Sequence, residues 1–72
     1  MLLRERLETY SGRLTPADRA VLDVLLSHPA ESAFLTADRV TSRANVHVAA
    51  ATRLAKKLGY SGYPHLRESL QT

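Results

Sequence analysis

The chain of 72 residues has no cysteine and no tryptophan, and it has few glycines, prolines and aromatic residues. The absence of cysteine excludes a disulfide scaffold, a thiolate zinc site and a cysteine nucleophile, and it fits a reducing cytoplasm. No apolar run approaches the length of a membrane span, and Arg4, Glu5 and Arg6 interrupt the N-terminal leucines too early for a signal peptide. We therefore expect a small cytoplasmic protein without membrane contact, whose core consists mainly of Leu, Val and Ala.

Acidic side chains are scarce in the second half of the chain. The formal net charge is +3, but residues 1–38 carry four arginines against six acids, and residues 39–72 carry six basic residues against Glu68 alone. A basic half on so small a domain indicates a polyanionic partner. The sequence also shows no nucleophile–base pair, no glycine-rich phosphate loop and no histidine pair at metal-ligand spacing. We expect no enzyme, no cofactor and no metal.

Glycine and proline divide the chain into segments with helical spacing. Leu3 and Leu7 indicate a short N-terminal helix. Thr15 is suited to cap a second helix. This helix is predicted to end just before Pro29, because the residue before a proline disfavours the helical conformation. The apolar stripe of that helix is predicted to contain Ala17, Val21, Leu22, Leu25 and Leu26. Residues 30–35 are predicted to form a loop that Phe34 and Leu35 anchor to the core.

The second half of the chain predicts two helices joined by a tight turn, followed by a last helix. Thr36 is suited to cap the first of them, and Asn45 can end it in the left-handed conformation. A longer helical run covers about residues 48–58 and ends at Gly59, and the last helix covers residues 64–70. The predicted fold is a single all-α domain over residues 1–72, a compact bundle of about five short helices that contains a helix-turn-helix.

The second helix of this motif separates apolar from basic residues. At about 100° per residue, Leu54, Ala55 and Leu58 fall within about 60° of Ala51 and form an inward stripe. The opposite arc has no acid, whereas a merely solvated face usually mixes both signs, so this arc favours contact with nucleic acid. Small side chains at Ala49 and Ala50 would allow a close approach to a groove floor. The members of the outer arc are Ala49, Thr52, Arg53, Lys56 and Lys57.

Residues 51–63, with the sequence ATRLAKKLGYSGY, resemble the segment that closes the helix-turn-helix of the RpiR-type bacterial regulators. An arginine, Lys-Leu-Gly and two aromatic residues around Ser-Gly recur there in this order. The resemblance extends over nearly the whole chain. The family commonly has serine at the position of His47, where it caps the recognition helix, and threonine at that of Ala50. The resemblance implies a recognition helix over residues 47–58 and DNA contacts by Ser42, Arg43, His47, Val48, Ala49, Thr52, Arg53, Lys56 and Lys57.

By this resemblance, the expected function is sequence-specific binding of double-stranded DNA by a bacterial transcriptional regulator that acts as a repressor. We expect a homodimer that pairs through the N-terminal helix or through a further domain. The sugar-isomerase-type domain with which the family senses phosphosugars is absent from these 72 residues, so such an effector is expected only if the full protein has that domain. The alternative is a helix-turn-helix-like module for protein association or dimerisation that does not bind DNA. Tyr60 and Tyr63 are expected to pack beneath the last helix rather than to stack on bases.

Overall fold

The computed structural model of the protein describes residues 3–71, and these form helices without any β-strand. The all-α prediction is confirmed. The described residues contain one helix more than the approximate number expected, because Pro29–Ser32 form a single helical turn in the predicted loop. In this turn the Ser32 amide donates a hydrogen bond to the His28 carbonyl at 2.8 Å, and the Ala33 amide donates one to the Pro29 carbonyl at 3.0 Å. The helices are α1 Leu3–Thr9, α2 Pro16–Ser27, α3 Pro29–Ser32, α4 Ala37–Ala44, α5 Ala49–Lys57 and α6 Tyr63–Ser69.

Helix α2 begins with the predicted cap at Thr15. The Thr15 hydroxyl accepts a hydrogen bond from the Asp18 amide at 3.1 Å, and the Asp18 carboxylate accepts one from the Thr15 amide at 2.9 Å. This reciprocal pair is a capping box, and it satisfies two amide groups that the helix itself cannot. Pro16 occupies the first turn, where its missing N–H group is not needed. The helix ends at Ser27, immediately before His28 and Pro29, as predicted.

Helix α2 packs against α3, α4 and α5, and α5 also packs against α4 and α6. The core between them includes the fully buried side chains of Val21, Leu25, Val40, Leu54 and Leu66. Two predictions for the core were wrong. Leu26 is 48% exposed and Val24 packs against the core instead, while Phe34 is 83% exposed. The extra turn α3 explains the second error, since it buries Ala33 and leaves Leu35, rather than Phe34, to pack inward.

Helix α1 covers the core at the C-terminal end of α5. Leu3 is buried and Leu7 packs against the core. The Arg6 guanidinium donates a hydrogen bond to the Leu58 carbonyl at 3.2 Å and lies 4.1 Å from the centre of the Tyr60 ring. The leucines of α1 described here therefore serve the domain's own core. Pairing of two copies through α1 would have to use its other, mostly charged residues.

The two tyrosines after α5 are buried, in agreement with the prediction that they pack in the domain. The Tyr60 hydroxyl donates to the Ser69 hydroxyl of α6 at 3.1 Å. Burial raises the pKa of Tyr63, and the nearby charge of Arg67 offsets this only in part. The buried Tyr63 hydroxyl has no hydrogen-bond partner within residues 3–71. Packing of the rings, rather than polar contact, accounts for the position of Tyr63.

Gly59 ends α5 in a conformation that glycine adopts most easily. Its φ is +91°, and the Tyr60 amide donates to the Ala55 carbonyl at 2.9 Å while the Gly59 amide donates to the Lys56 carbonyl at 3.0 Å. These two bonds form a Schellman motif, which satisfies carbonyls at the end of the helix. A Cβ atom on Gly59 would lie 2.8 Å from the Arg6 guanidinium. The positive φ therefore favours glycine here, while the end of the Arg6 side chain would have to shift to admit a Cβ atom.

We expect Gly59→Ala to lower the free energy of unfolding by about 1–2 kcal/mol, the usual cost of a left-handed residue with a side chain. Urea denaturation followed by circular dichroism measures the change. Gly62→Ala is the matched control, since Gly62 has an extended φ of 176° and the nearest atom to its added Cβ lies at 3.8 Å. Equal losses in the two variants would contradict this explanation of Gly59.

Candidate nucleic-acid interface

Helices α4 and α5 are joined by the tight turn that the sequence predicts. Asn45 adopts the left-handed conformation with φ 60° and ψ 44°. The Val46 amide donates to the Thr41 carbonyl at 3.0 Å, and the Asn45 amide donates to the Ser42 carbonyl at 3.2 Å. Val46 then packs against the core and turns the chain back toward α5. The α4–turn–α5 unit is a helix-turn-helix, and the prediction of this motif is confirmed.

A histidine ring accepts a hydrogen bond from the first amide group of α5. The His47 Nδ1 atom accepts a hydrogen bond from the Ala49 amide at 3.1 Å, and the His47 carbonyl accepts one from the Ala50 amide at 2.9 Å. His47 stands at the position where the resemblance leads one to expect a capping serine. Because Nδ1 is used in this way, Nε2 is the ring nitrogen that remains for an outside partner. Helix α5 covers Ala49–Lys57, slightly less than the predicted run.

The inner side of α5 is broader than predicted. Ala51, Leu54, Ala55 and Leu58 are buried, which confirms the inward stripe. Ala50 is buried as well, so the expectation that its small side chain lets the backbone approach a groove was wrong. Ala50 lies only about 20° around the helix from Lys57, at 100° per residue. Lys57 on this flank contacts Asp18 of α2, and the sequence of α5 alone does not reveal that other helices cover the flank.

The outer side of α5 presents an exposed face without acids. Thr52, Arg53 and Lys56 are exposed, Val48 is 40% exposed and Ala49 is half-buried. The side chains of Thr52, Arg53 and Lys56 make no hydrogen bond or ion pair with any other residue of the described range 3–71. The charges of Arg53 and Lys56 are therefore available to an external anion. We call Val48, Ala49, Thr52, Arg53 and Lys56 the outer face of α5.

Lys57 does not belong to this face. Its ammonium group lies 2.5 Å from the Asp18 carboxylate of α2 and 3.4 Å from the Arg13 carbonyl, and its side chain is 27% exposed. The prediction of an unopposed cation at Lys57 was therefore wrong. Burial of the Asp18 carboxyl group raises its pKa, but hydrogen bonds from Lys57 and Thr15 outweigh this effect, and the net pKa lies below its ordinary value. The carboxylate is charged at neutral pH and holds Lys57.

Helix α4 adds further polar residues beside the turn. Ser42 is exposed, whereas the Arg43 guanidinium forms an ion pair of 2.7 Å with Glu31 of α3. Arg39, which was not among the predicted contact residues, is exposed and shares a depression of about 340 Å³ with Thr36, Asp38 and Ser42. The spacing of Arg39, Ser42 and Arg43, three and four residues apart, places them on one side of α4 and was the signal available for finding Arg39.

The described part of the chain shows neither a metal-ligand cluster nor a membrane span. No group of three or more His, Cys, Asp or Glu residues in positions 3–71 is placed to hold a metal ion. None of the helices in the same range is long and apolar enough to cross a membrane.

Comparison with known proteins identifies this arrangement. The chain is 35% identical over 69 residues to YfhH of Escherichia coli and 31% identical over 61 residues to YbbH of Bacillus subtilis, both described as uncharacterised HTH-type transcriptional regulators. The matches cover 96% and 85% of the chain but only 24% and 22% of these relatives, so the chain spans about a quarter of their length.

A crystal structure of the N-terminal domain of ybbH from Bacillus subtilis has the same fold. Its TM-score to the chain is 0.82 at 28% sequence identity, over 93% of this chain and 82% of that domain. The family description "Helix-turn-helix domain, rpiR family" matches residues 1–72 in full. The sequence resemblance is thereby confirmed, and the chain belongs to the helix-turn-helix domains of the rpiR family.

Proposed function

We propose that the chain is the sequence-specific DNA-binding domain of a bacterial transcriptional regulator, and that α5 enters the major groove of double-stranded DNA. The observation that carries this proposal is the outer face of α5, on which Arg53 and Lys56 are exposed and unopposed within the described residues. The second helix of a helix-turn-helix is the element that contacts base edges. Family membership supports the same function.

The exposed side chains suit different parts of a duplex. The Arg53 guanidinium can bridge the O6 and N7 acceptors of guanine, and the Val48 methyl groups can contact a thymine methyl group. Lys56 and Thr52 suit phosphates, because a flexible ammonium group and a hydroxyl accept many geometries. The small side chain of Ala49 lets the start of α5 approach the floor of the groove closely. His47 can contact a phosphate through Nε2.

Helix α4 crosses the DNA backbone in this arrangement. Ser42 and Arg39 are exposed on it and can donate to phosphates, although the Asp38 carboxylate lines the same depression and opposes an anion there. Arg43 can reach a phosphate by leaving Glu31, since both side chains of that ion pair are about half exposed and solvent weakens such pairs. Lys57 is left out of the contact set because Asp18 holds it.

Three further proposals concern a full protein that contains this domain: pairing of two copies, repression and control by an effector. A single recognition helix contacts few base pairs, so we propose that two copies bind two half-sites about one DNA turn apart, roughly 34 Å. Action as a cytoplasmic repressor and control by a phosphosugar are the corresponding proposals for a full protein. The second of these depends on a sugar-isomerase-type domain, as found in the family.

Salt dependence of duplex binding tests the proposed function. Phosphate contacts by Lys56, Arg39 and Arg43 predict that the logarithm of the association constant falls with the logarithm of salt with a slope of about −3. Between about 50 and 200 mM salt the affinity then falls roughly 50-fold. Titration of a labelled duplex by fluorescence anisotropy, after selection of a preferred sequence from a random pool, measures both the slope and the specificity.

The alternative is a protein-association module without DNA binding. The observation that favours it is Phe34, which is 83% exposed beside a depression formed with Ala30, Ala33 and Leu70. Self-association in the ultracentrifuge together with no salt-dependent binding of any duplex would establish this alternative and refute the DNA-binding proposal.

A further inference from the structure

Asp18 performs two tasks with one buried carboxylate. Its residue is 3% exposed, and Oδ2 accepts hydrogen bonds both from the Thr15 amide at 2.9 Å and from the Lys57 ammonium group at 2.5 Å. The first bond caps α2. The second joins α2 to the last turn of α5, across 39 positions of sequence. Capping alone needs an oxygen acceptor but no charge, so the ion pair with α5 is the feature that requires an aspartate.

The ion pair lies close to the residue that would recognise bases. Lys57 follows Arg53 by four residues, which places it one helical turn away and about 40° around the helix axis. Helix α5 has only nine residues. The buried stripe holds one side of this short helix against the core, and a contact on the flank of its last turn further restricts its rotation and with it the direction in which Arg53 leaves the helix.

We propose that Asp18 is a positioning residue for base recognition, acting through Lys57 to set the rotation of α5 against α2. The inference rests on the proposed function. Hydrogen bonds from a guanidinium to a base edge require close distances and good angles, whereas phosphate contacts tolerate displacement. Loss of the ion pair should thus weaken binding to a preferred sequence and spare binding to unrelated DNA.

The test compares Asp18→Asn, Lys57→Met and the double variant with the unchanged chain. Asparagine keeps the size of the side chain and an oxygen for the Thr15 amide, so the cap of α2 remains. Affinity is measured by anisotropy for the duplex selected with the unchanged chain and for a scrambled duplex of the same composition. The ratio of the two affinities is the informative quantity, because a smaller folded fraction lowers both affinities equally and leaves the ratio unchanged.

We expect each single variant to lower the ratio about 5- to 10-fold and the double variant to lower it no further, since both substitutions break one contact. Lys57→Arg, which keeps the charge beside Asp18, should restore most of the ratio. Lys56→Met is the comparison for a phosphate contact: it should weaken both duplexes alike and reduce the magnitude of the salt slope by about 0.9.

An unchanged ratio in the single variants would overturn this inference while leaving the proposed function standing. Lys57→Met losing as much salt slope as Lys56→Met would do the same, because Lys57 would then be a phosphate contact. Losses that multiply in the double variant would show two independent roles and also overturn it. Absence of salt-dependent binding by the unchanged chain would overturn the proposed function and this inference with it.

Discussion

Arg53→Ala is expected to remove most of the preference of the domain for its selected duplex. The affinity for that duplex should fall by about 1–3 kcal/mol, the discrimination supplied by one good bidentate contact, which corresponds to roughly 5- to 150-fold. The affinity for scrambled DNA should fall much less, because only one of several cations is lost. The exposure of Arg53, and the absence of an ion pair to it within residues 3–71, make its guanidinium available for this contact.

Lys56→Ala is the matched comparison for Arg53→Ala. Lys56 is also an exposed cation of α5, three residues further along the chain and on the same outer face. A flexible ammonium group contacts phosphates as a point charge, so its loss should weaken selected and scrambled duplexes by the same factor. Competition titrations with both duplexes measure the two ratios. Equal loss across sequences for both variants would contradict the separate roles given to Arg53 and Lys56.

Leu54→Ala is expected to unfold much of the protein at room temperature. Leu54 is fully buried where α5 meets the rest of the core. Removal of a buried leucine side chain costs about 2–5 kcal/mol, and a core in a domain of this size rarely supplies more than about 3–5 kcal/mol. The variant should therefore lose helical circular dichroism in water or at very low urea concentration.

Thr52→Ala is the stability control for Leu54→Ala, since Thr52 lies on the exposed side of the same helix. A surface substitution of this kind usually changes the free energy of unfolding by less than about 0.5 kcal/mol. Urea denaturation of both variants gives the comparison. Similar midpoints for Leu54→Ala and the unchanged chain would mean that the packing of α5 on the core contributes little to stability.

Local signals in the sequence were sufficient for most of the fold. Thr15, Thr36 and Asn45 predicted helix ends. The two threonine side chains accept the expected capping hydrogen bonds, and Asn45 adopts the expected left-handed conformation. These features depend on residues within one helical turn, so they can be recognised without knowledge of the partner helices. The apolar stripe of α5 was predictable for the same reason, because 3.6-residue periodicity alone determines which residues share a face.

Features that depend on contacts between distant segments could not be predicted. The ion-pair partner of Lys57 is Asp18, which is distant in the sequence. Only the packing of α2 on α5 brings the two residues together. The burial of Ala50 likewise depends on packing between helices, which the sequence of α5 does not reveal. Phe34 is exposed because α3 forms, and a single turn of helix leaves almost no periodic signal. At the candidate interface, an exposed basic side of α5 was thus predicted, but Lys57 was wrongly included in it. Arg39 of α4 was not predicted.

Mapping the duplex on the protein by nuclear magnetic resonance tests the central claim most directly. The selected duplex is added to the ¹⁵N-labelled domain, and changes in the backbone amide signals are followed. We expect the largest changes in residues 47–53, at the start and on the outer face of α5, with smaller ones around Arg39 and Ser42. Changes concentrated in α1 or α6, with the signals of α5 unaffected, would contradict the placement of α5 in the major groove.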